Sequence, residues 1–280
     1  MFKNALKYYK FGKYHAEKMK FEYGKIIGSM NLTKNDELSV VDIGSGSGRL
    51  LHEVLIPLLP KNIKEIVATD IDEKMIDFSR SVNEHPKVIF NVLDIGGEKI
   101  PLHFQNRFDL LFSSYCFQYV RDLGRAFSNC EKLLKPNGEL ALIFQCKTNA
   151  LYSTYKKMSR IDEWKLYMKE YANFVPCFSD PDPDSELRNI TENAGLTLIN
   201  YNFDPEFYIT IPRKQLLGIY QSLDNIKLAA VPKDQQEDYN RDFVRSIAEE
   251  IDLRFSNGRI IDEPINFQVP TVIIHAKKNK

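Results

Sequence analysis

Short apolar runs alternate with helix-length amphipathic runs through the first half of the chain. Five of these runs have the length and side-chain content of buried strands. They span residues 40–43, 65–69, 87–93, 108–113 and 139–145. Strands that alternate with helices form mostly parallel sheets, because each right-handed crossover returns the chain to the same edge. The pattern therefore predicts an α/β fold, with a parallel sheet covered by helices on both faces.

The second half of the chain extends this sheet. Pro136 cannot continue a helix and Gly138 is free to turn, so the chain should enter its fifth strand here. Later elements are predicted in order as a helix over 185–195, a strand from Leu196, an irregular helical stretch over 213–254 and a strand over 267–276. Together these patterns predict a seven-stranded, mostly parallel sheet.

One segment, from about 148 to 184, breaks the alternation. It is rich in aromatic residues and ends in Asp-Pro-Asp-Pro-Asp, whose prolines interrupt any helix. Such an insertion is typical of a helical cap beside a binding site. We predict a single domain over residues 1–280, with cap insertions at about 148–184 and about 206–262. An N-terminal helix over 1–30 is expected to contribute to the substrate site.

Composition narrows the classes of partner. The 280 residues carry 38 Lys plus Arg and 38 Asp plus Glu, so the formal net charge is zero. A nucleic-acid partner is not expected, because binding one requires a basic field. Four cysteines without a Cys-x-x-Cys pair indicate reduced thiols and predict no metal site. The chain shows neither a leader pattern nor an apolar run long enough for a membrane span, which predicts a cytoplasmic protein and leaves its oligomeric state open.

The segment 39–48 carries the strongest chemical signal. It reads Ser-Val-Val-Asp-Ile-Gly-Ser-Gly-Ser-Gly, an apolar strand that delivers Asp42 into a tight turn. The turn contains Gly44, Ser45, Gly46 and Gly48. Glycines allow positive φ and close approach to a ligand, and the helix that follows offers free N–H groups. A dinucleotide fingerprint would need Gly at Arg49, so this spacing disfavours NAD. A turn that binds nothing is the alternative interpretation.

Acidic residues follow the ends of the next two strands. Asp70 ends the second strand, where a carboxylate can accept from both hydroxyls of a ribose. A buried carboxylate without a partner would be costly there. Asp72 is interpreted as the N-cap of the next helix. Asp94 follows the third strand, and a lone Asp in that place is usually a turn residue. Acids at successive strand ends, however, predict a shared ligand site.

The Asp-x-Gly-x-Gly-x-Gly pattern over 42–48 resembles motif I of the class I S-adenosylmethionine-dependent methyltransferases. The resemblance implies a Rossmann-like fold and S-adenosyl-L-methionine as cofactor. It further implies the roles of five residues: Asp94 accepting from the adenine amino group, Ile95 packing on the base, Ile71 or Met75 on the opposite face of the base, and the Ser113 carbonyl facing the methionine amine. The chain lacks the Pro-Pro motif of nitrogen-directed relatives and the metal-binding Asp of catechol-type relatives, which points away from both.

Several short matches along the rest of the chain occur in the order found in one group of these enzymes. They are Leu-Asp-Ile at Leu93, Arg-Asp at Arg121, Arg125-Ala126-Phe127, Glu-Trp at Trp164, Asp-Pro at Asp182 and Asn193-Ala194-Gly195. In this order they are similar to the juvenile hormone acid O-methyltransferases, which methylate the carboxylate of farnesoic acid and its epoxide. That family contacts the carboxylate through a Gln and a His-Trp pair. The matching positions are His15, Gln118 and Tyr119, each of which still offers a hydrogen-bond donor.

A carboxylate needs no general base to attack a sulfonium methyl group, because it is already an anion at neutral pH. The resemblance therefore implies that His15, Gln118 and Tyr119 orient a small apolar acid. The expected pocket wall consists of Tyr115, Tyr152, Trp164 and Tyr208. Ordinary helix packing is the alternative for Trp164, and a structural role is the alternative for His15. The alternative functions are methylation of another lipid acid, of a phenol or of an amine, with His15 as base for the last two, and a catalytically silent scaffold.

Overall fold

The computed structural model describes residues 5–30, 32, 37–145, 150–169, 183–224, 230–251, 255–256, 259–260 and 263–280. The helices are α1 (Ala5–Phe11), α2 (Lys13–Ser29), α3 (Ile56–Leu58), α4 (Glu73–Val82), α5 (Leu123–Leu133), α6 (Ala150–Met158), α7 (Asp184–Asn193), α8 (Arg213–Leu223) and α9 (Gln236–Glu250). The strands are β1 (Leu38–Ile43), β2 (Ile63–Asp70), β3 (Val88–Val92), β4 (Phe108–Ser114), β5 (Leu134–Gln145), β6 (Leu196–Asp204), β7 (Tyr208–Pro212), β8 (Phe255–Ser256), β9 (Arg259–Ile260), β10 (Pro264–Gln268) and β11 (Thr271–Lys278).

Seven of these strands form the main sheet, in the order β3-β2-β1-β4-β5-β11-β6. The pairs among β1 to β5 are parallel, whereas β11 runs antiparallel to both β5 and β6. Every residue of the central strand β1 is buried. The prediction of a seven-stranded, mostly parallel sheet is confirmed. Its topology brings the carboxyl ends of β1, β2, β3 and β4 to one edge.

The last predicted strand, 267–276, is wrong as a single element. The chain forms two strands instead, β10, which pairs with β7, and β11, which belongs to the main sheet. The break falls at Val269 and Pro270, where the Val269 N–H donates to the Phe207 carbonyl at 2.7 Å. Proline cannot donate to a sheet ladder, so it marks the point where the chain leaves one sheet for the other. β10 alternates apolar and polar residues and β11 is rich in β-branched residues, so both fit a strand pattern and the break is concealed in the sequence.

The turn predicted at Pro136 and Gly138 lies inside β5, which begins at Leu134 directly after α5. It interrupts the pairing of β5 with β4 between Leu134 and Glu139. Asn137, not Gly138, adopts the left-handed backbone, with φ of 65°. A Cβ on Gly138 would lie 2.9 Å from the Lys135 carbonyl oxygen and 3.1 Å from that of Phe108. Gly138 is therefore required by close packing of backbone, while Asn tolerates the positive φ.

Helices cover both faces of the sheet. On one face, apolar side chains of α2, α6, α8 and α9 form a core with the strands, including Met19, Tyr23, Tyr155, Leu216 and Phe243. On the other face α5 and α7 form a second core, including Phe127, Leu133 and Leu187. The predicted N-terminal helix is two helices, α1 and α2, which meet at Gly12. Of the predicted cap segments, α6, α8 and α9 are described, and residues 170–182 lie outside the described residues.

Three observations bear on the expected partners. Within the described ranges, no helix is long and apolar enough to cross a membrane. The same part of the chain contains no group of three or more His, Cys, Asp or Glu side chains placed to hold a metal ion. Cys116 and Cys130 are free thiols. Cys146 and Cys177 lie outside the described residues.

Candidate functional site

The glycine turn after β1 depends on its lack of side chains. Gly44, Gly46 and Gly48 adopt left-handed backbone conformations, with φ of 69°, 55° and 77°. A Cβ on Gly44 would collide with the Cys116 side chain, and one on Gly46 would lie 3.2 Å from Cε1 of Tyr8. The turn therefore fits closely between the end of β4 and α1. Its N–H groups are used within the protein, since Ser45 donates to the Thr69 carbonyl at 2.8 Å and Gly48 donates to the Ser45 carbonyl at 2.9 Å.

Asp70 holds this turn from the end of β2. One carboxylate oxygen accepts from the Gly46 N–H and the other from the Asp72 N–H, both at 2.9 Å. The buried carboxylate thus has internal partners, which the sequence did not predict. Burial raises the pKa of Asp70, and the two N–H donors oppose this shift. Each oxygen keeps a further lone pair, so Asp70 can still accept from a diol. Asp72 caps α4 as predicted, since its side chain accepts from the Lys74 N–H at 3.0 Å.

A cleft, here called the strand-end cleft, lies beyond the carboxyl ends of β1, β2 and β3. Its volume is about 310 Å³. The predicted residues that line it are Gly44, Gly46, Asp70, Ile71, Asp94, Ile95 and Tyr115. Asp94 is exposed at its rim and accepts from the Gly96 N–H at 2.9 Å. Carboxylates and apolar side chains therefore share one cleft, a combination that suits a ribose and a base.

Five predicted cofactor residues do not line this cleft. One of them, Gly48, faces Ser79 and Asn83 instead. Met75 is fully buried in α4, which leaves Ile71, half of whose surface is exposed, as the apolar side chain on that side. Asp42 and Ser113 are buried directly behind the wall, and the Ser113 hydroxyl donates to the Ile43 carbonyl at 2.7 Å. Ser45 faces the neighbouring cavity, and its buried hydroxyl has no hydrogen-bond partner among the described residues.

Asp42 is the most unusual charge in the site. Its side chain is buried, with the like charge of Asp70 nearby. Burial first, and Asp70 second, raise the pKa of Asp42 to about 8. Among the described residues, the Asp42 carboxylate has no compensating cation. A positively charged ligand would supply one.

Two smaller pockets, of about 80 and 40 Å³, share five lining residues and are here together called the inner cavity. The larger of the two adjoins the strand-end cleft. The polar wall of the inner cavity is formed by His15, Gln118, Tyr119 and Gln145. Its apolar wall is formed by Ile209, Leu216, Ile219, Leu223, Phe267 and Val269. The structure therefore brings together the three residues predicted to orient a substrate, although His15 lies about a hundred positions before Gln118 and Tyr119 in the chain.

The polar wall is electrically neutral. His15 packs against Tyr115 with ring centroids 4.6 Å apart, and its buried Nδ1 has no hydrogen-bond partner among the described residues. Burial lowers the pKa of His15 to about 4. Burial also raises the pKa of Tyr119 to about 12, against the effect of its hydrogen bond with Gln118. At neutral pH these groups are uncharged imidazole, phenol and amide, which suit hydrogen bonding better than proton abstraction.

Arg49 is the basic residue of this cavity, and its charge is already compensated. Its Nε and Nη2 donate to the two Glu53 carboxylate oxygens at 3.0 and 2.9 Å. Its Nη1 donates to the Tyr9 carbonyl oxygen at 2.8 Å. Arg49 therefore serves to fasten α1 beside the glycine turn.

Two residues predicted for the pocket wall lie elsewhere. Trp164 is buried against Tyr239 of α9, with centroids 5.4 Å apart, and its Nε1 donates to Asp242 at 2.9 Å. Its aromatic spacing thus reflects packing within the cap, as the alternative interpretation held. Tyr208 is 45% exposed on β7, because strand alternation turns Ile209 and Ile211 inward. Tyr152 belongs to α6, and its side chain lies outside the described part of the structure.

Four lining residues had no sequence signal as site residues. Tyr8 lies on α1, which was predicted to contribute to the substrate site only as part of the N-terminal helix over 1–30, with no residue singled out. Gln145 ends β5, Ile219 lies on α8 and Phe267 lies on β10. Only the packing of distant segments places them beside one cavity.

The strand order, with an antiparallel last strand inserted beside β5, and the acid-flanked glycine turn define a class I S-adenosylmethionine-dependent methyltransferase. Residues 41–142 match the family described as Methyltransferase domain. The chain is 30% identical over 242 residues to juvenile hormone acid O-methyltransferase of Drosophila melanogaster. The aligned region covers 82% of this chain and 79% of that protein. We conclude that the chain belongs to the S-adenosylmethionine-dependent methyltransferases.

Two further comparisons agree with this assignment. Juvenile hormone acid O-methyltransferase of Bombyx mori is 27% identical over 248 residues, covering 85% of this chain and 84% of that one. The solved structure of the YcgJ protein from Bacillus subtilis has a TM-score of 0.53 at 17% identity, covering 93% of this chain and 99% of that one. The last likeness concerns the fold.

The cofactor is S-adenosyl-L-methionine, and the strand-end cleft has the groups to hold it. The glycine turn is a cradle that a Cβ would fill, Asp70 retains acceptor capacity for a ribose, and Ile71 and Ile95 line the cleft where they would hold the base. The buried acid Asp42 would supply a counter-charge for a cationic ligand. When bound, the cofactor supplies an electrophilic methyl group.

Replacing Asp70 tests the ribose assignment. We expect Asp70→Ala to weaken cofactor binding by about 1 to 3 kcal/mol, the scale of losing charged hydrogen bonds. Calorimetric titration with S-adenosyl-L-methionine measures this change. The matched control is Asp77→Ala, which removes an exposed acid paired with Arg80 on α4 and should leave the affinity unchanged. Equal affinities for the Asp70→Ala variant and the original protein would contradict the assignment.

Proposed function

We propose that this methyltransferase O-methylates the carboxylate of a small apolar acid. The observation that carries the proposal is the inner cavity, in which neutral buried donors lie next to an apolar wall and beside the cofactor cleft. The names of both curated relatives describe O-methylation of an acid. Farnesoic acid and juvenile hormone acid are the first candidates, because His15, Gln118 and Tyr119 occupy the positions that contact the carboxylate in that group.

The uncharged wall suits an anionic acceptor. Since Arg49 is already paired with Glu53, the cation that complements the carboxylate is the sulfonium of the cofactor. In the reaction a carboxylate oxygen forms a bond to the methyl carbon while the carbon–sulfur bond breaks, so one positive and one negative charge disappear together. A step that neutralises charge is favoured where solvation is poor, and the apolar wall provides that poorly solvated environment. His15, Gln118 and Tyr119 then need only hold the carboxylate in line with the methyl group.

The electrostatics of His15 argue against a phenol or amine as acceptor. Such an acceptor would need a base to remove its proton, and His15 is the candidate base of the cavity. With a pKa of about 4, the imidazole is too weak a base for that role at neutral pH. A carboxylic acid needs no such base, because its own pKa is near 4.

The proposal is tested by incubating the protein with methyl-labelled cofactor and matched acceptors. The panel contains farnesoic acid, a fatty acid and an aromatic acid, each beside its alcohol, amide and amine counterpart. We expect label only in the acids, as methyl esters that release methanol in mild base. Labelling of amines or alcohols while every acid remains unlabelled would overturn the proposal.

Tyr119 offers a finer test of the orienting wall. Tyr119→Phe keeps the ring and removes one donor to the carboxylate, so we expect kcat/KM for an acid to fall roughly 10- to 100-fold. Cofactor affinity should not change. The control is Tyr208→Phe, which removes an exposed hydroxyl on β7 and should have no effect. If Tyr119→Phe abolishes cofactor binding instead, Tyr119 has a structural role.

A further inference from the structure

Three tyrosines form the boundary between the two cavities. Tyr8, Tyr115 and Tyr119 line both the strand-end cleft and the inner cavity. Methyl transfer requires the donor and the acceptor to meet, so it must occur where these cavities join. The three side chains therefore surround the place where the cationic sulfur and its methyl group have to lie.

Two parts of the fold hold the three tyrosines. Tyr115 and Tyr119 follow β4, whereas Tyr8 lies on α1. Tyr115 has a φ of 53°, an uncommon conformation for a bulky residue, while its N–H donates to the Ile143 carbonyl at 2.7 Å. Such backbone strain tends to cluster at functional sites. Tyr119 lies in the short 3₁₀ turn Phe117–Tyr119 that follows β4. Both residues are thus held by the carboxyl end of the main sheet.

Tyr8 reaches the boundary from α1. Its ring passes over the glycine turn, where the absence of a Cβ on Gly46 makes room for it. The helix is fastened on the next residue, since the Tyr9 ring packs edge-on against Phe78 at 5.8 Å and the Tyr9 carbonyl accepts from Arg49. The adjoining α2 carries His15, so α1 and α2 close the site together.

The chemistry of this boundary favours a cation. Aromatic faces attract cations, most strongly where water is excluded, and aromatic enclosures bind quaternary ammonium groups in this way. Asp70, whose carboxylate accepts from the Gly46 N–H of the glycine turn, adds negative charge on the same side, and Asp42 adds more once it loses its proton. Burial raises the pKa of the Tyr8 and Tyr115 phenols, so both remain uncharged rings.

We propose that Tyr8, together with Tyr115 and Tyr119, encloses the sulfonium of the cofactor, and that Tyr8 is a positioning residue that favours the charged cofactor over its neutral product. After transfer the sulfur is an uncharged thioether, and the attraction to the rings is lost. The enclosure therefore holds the reactant more strongly than S-adenosylhomocysteine, which promotes product release. The proposal rests on the cofactor and is independent of the identity of the acceptor.

The test compares calorimetric affinities of S-adenosylmethionine and S-adenosylhomocysteine, without any acceptor, in variants of position 8. Tyr8→Leu should raise the Kd of S-adenosylmethionine roughly tenfold and change that of the product less than twofold. Tyr8→Phe should retain most of the affinity. Tyr9→Leu is the matched control, because it loosens α1 from Phe78 and should affect both ligands equally.

A second series guards against loss of folding in Tyr8→Leu. Phenylalanines with one, two and three ring fluorines at position 8 keep the shape of the side chain while withdrawing charge from its face. We expect the affinity for S-adenosylmethionine to fall with each fluorine and that for the product to stay constant. Equal changes for the two ligands, or no change in either, would overturn the proposal. A wrong assignment of the acceptor would leave these results as they are.

Discussion

Gly48→Ala should unfold the glycine turn and abolish cofactor binding. Gly48 has a φ of 77°. Its lack of a side chain leaves room for Ser79 of α4 and for Asn83, which is the C-cap residue of that helix. A Cβ there would collide with the Ser79 hydroxyl and lie 2.7 Å from Asn83 Nδ2. Asn83 cannot move freely, because it donates to the Ser47 carbonyl at 3.0 Å. We expect a loss of about 2 to 5 kcal/mol in the free energy of unfolding, from backbone strain and overpacking.

Thermal and denaturant unfolding measure the stability effect, and calorimetry with S-adenosyl-L-methionine measures the binding effect. Gly28→Ala is the matched control, since a Cβ on that glycine of α2 meets nothing within 4 Å. It should stabilise the protein by up to about 1 kcal/mol, because alanine favours a helix. A Gly48→Ala variant that binds the cofactor normally would show that the turn tolerates a side chain and does not approach the ligand.

Asp42→Asn should have opposite effects on stability and on binding. The amide removes a buried charge near Asp70 that no cation compensates in the described part of the chain, so the free protein should become more stable at pH 8. The gain is on the order of 2 to 5 kcal/mol, since the pKa of Asp42 is raised to about 8. The same change removes a counter-charge for the cationic cofactor, and we expect its affinity to fall roughly 5- to 100-fold. Residues of this kind trade stability for function.

The raised pKa of Asp42 determines how its effect on stability changes with pH. An unfolded Asp loses its proton near pH 4, whereas folded Asp42 keeps its proton up to about pH 8. Over that range the folded state binds the extra proton, so the contribution of Asp42 to stability falls as the pH rises. The advantage of Asp42→Asn should therefore grow from pH 4 to about pH 8 and then level off. Cofactor affinity of the original protein should increase over the upper part of this range, because binding a cation favours the ionised carboxylate.

Unfolding curves at pH 5, 6.5 and 8 measure the stability trend, and calorimetry at the same pH values measures the affinity. Asp77→Asn is the control, since that acid is exposed beside Arg80 and should produce neither trend. A stability difference between Asp42→Asn and the original protein that stays constant with pH would contradict the buried, protonated state of Asp42.

Most residues of the cofactor part of the site could be predicted from local sequence patterns. The glycines after β1 and the acids after β2 and β3 stand at strand ends, and parallel topology alone brings such ends to one edge. The choice between Ile71 and Met75 could not be made from sequence, because both residues lie near the start of one helix. The fold decides it by directing Met75 into the interior and Ile71 into the cleft.

The acceptor half depended on contacts that the sequence does not encode locally. His15 was found through the family resemblance alone, while Tyr8 and Phe267 arrive from elements whose packing no periodicity reveals. Trp164 shows the limit of aromatic spacing, which is the same for a core and for a cavity wall. Tyr208 could have been placed correctly, because the alternation with Ile209 and Ile211 turns it outward.

The glycine turn and the strand-end acids are expected to hold one S-adenosyl-L-methionine at the edge of the sheet. Calorimetric titration of the folded protein with this cofactor measures that binding, with Asp70→Ala measured alongside. We predict saturable binding of one molecule per chain, weakened by about 1 to 3 kcal/mol in the variant. A folded protein that binds no S-adenosyl-L-methionine, or binds it equally well without the Asp70 carboxylate, would contradict the account.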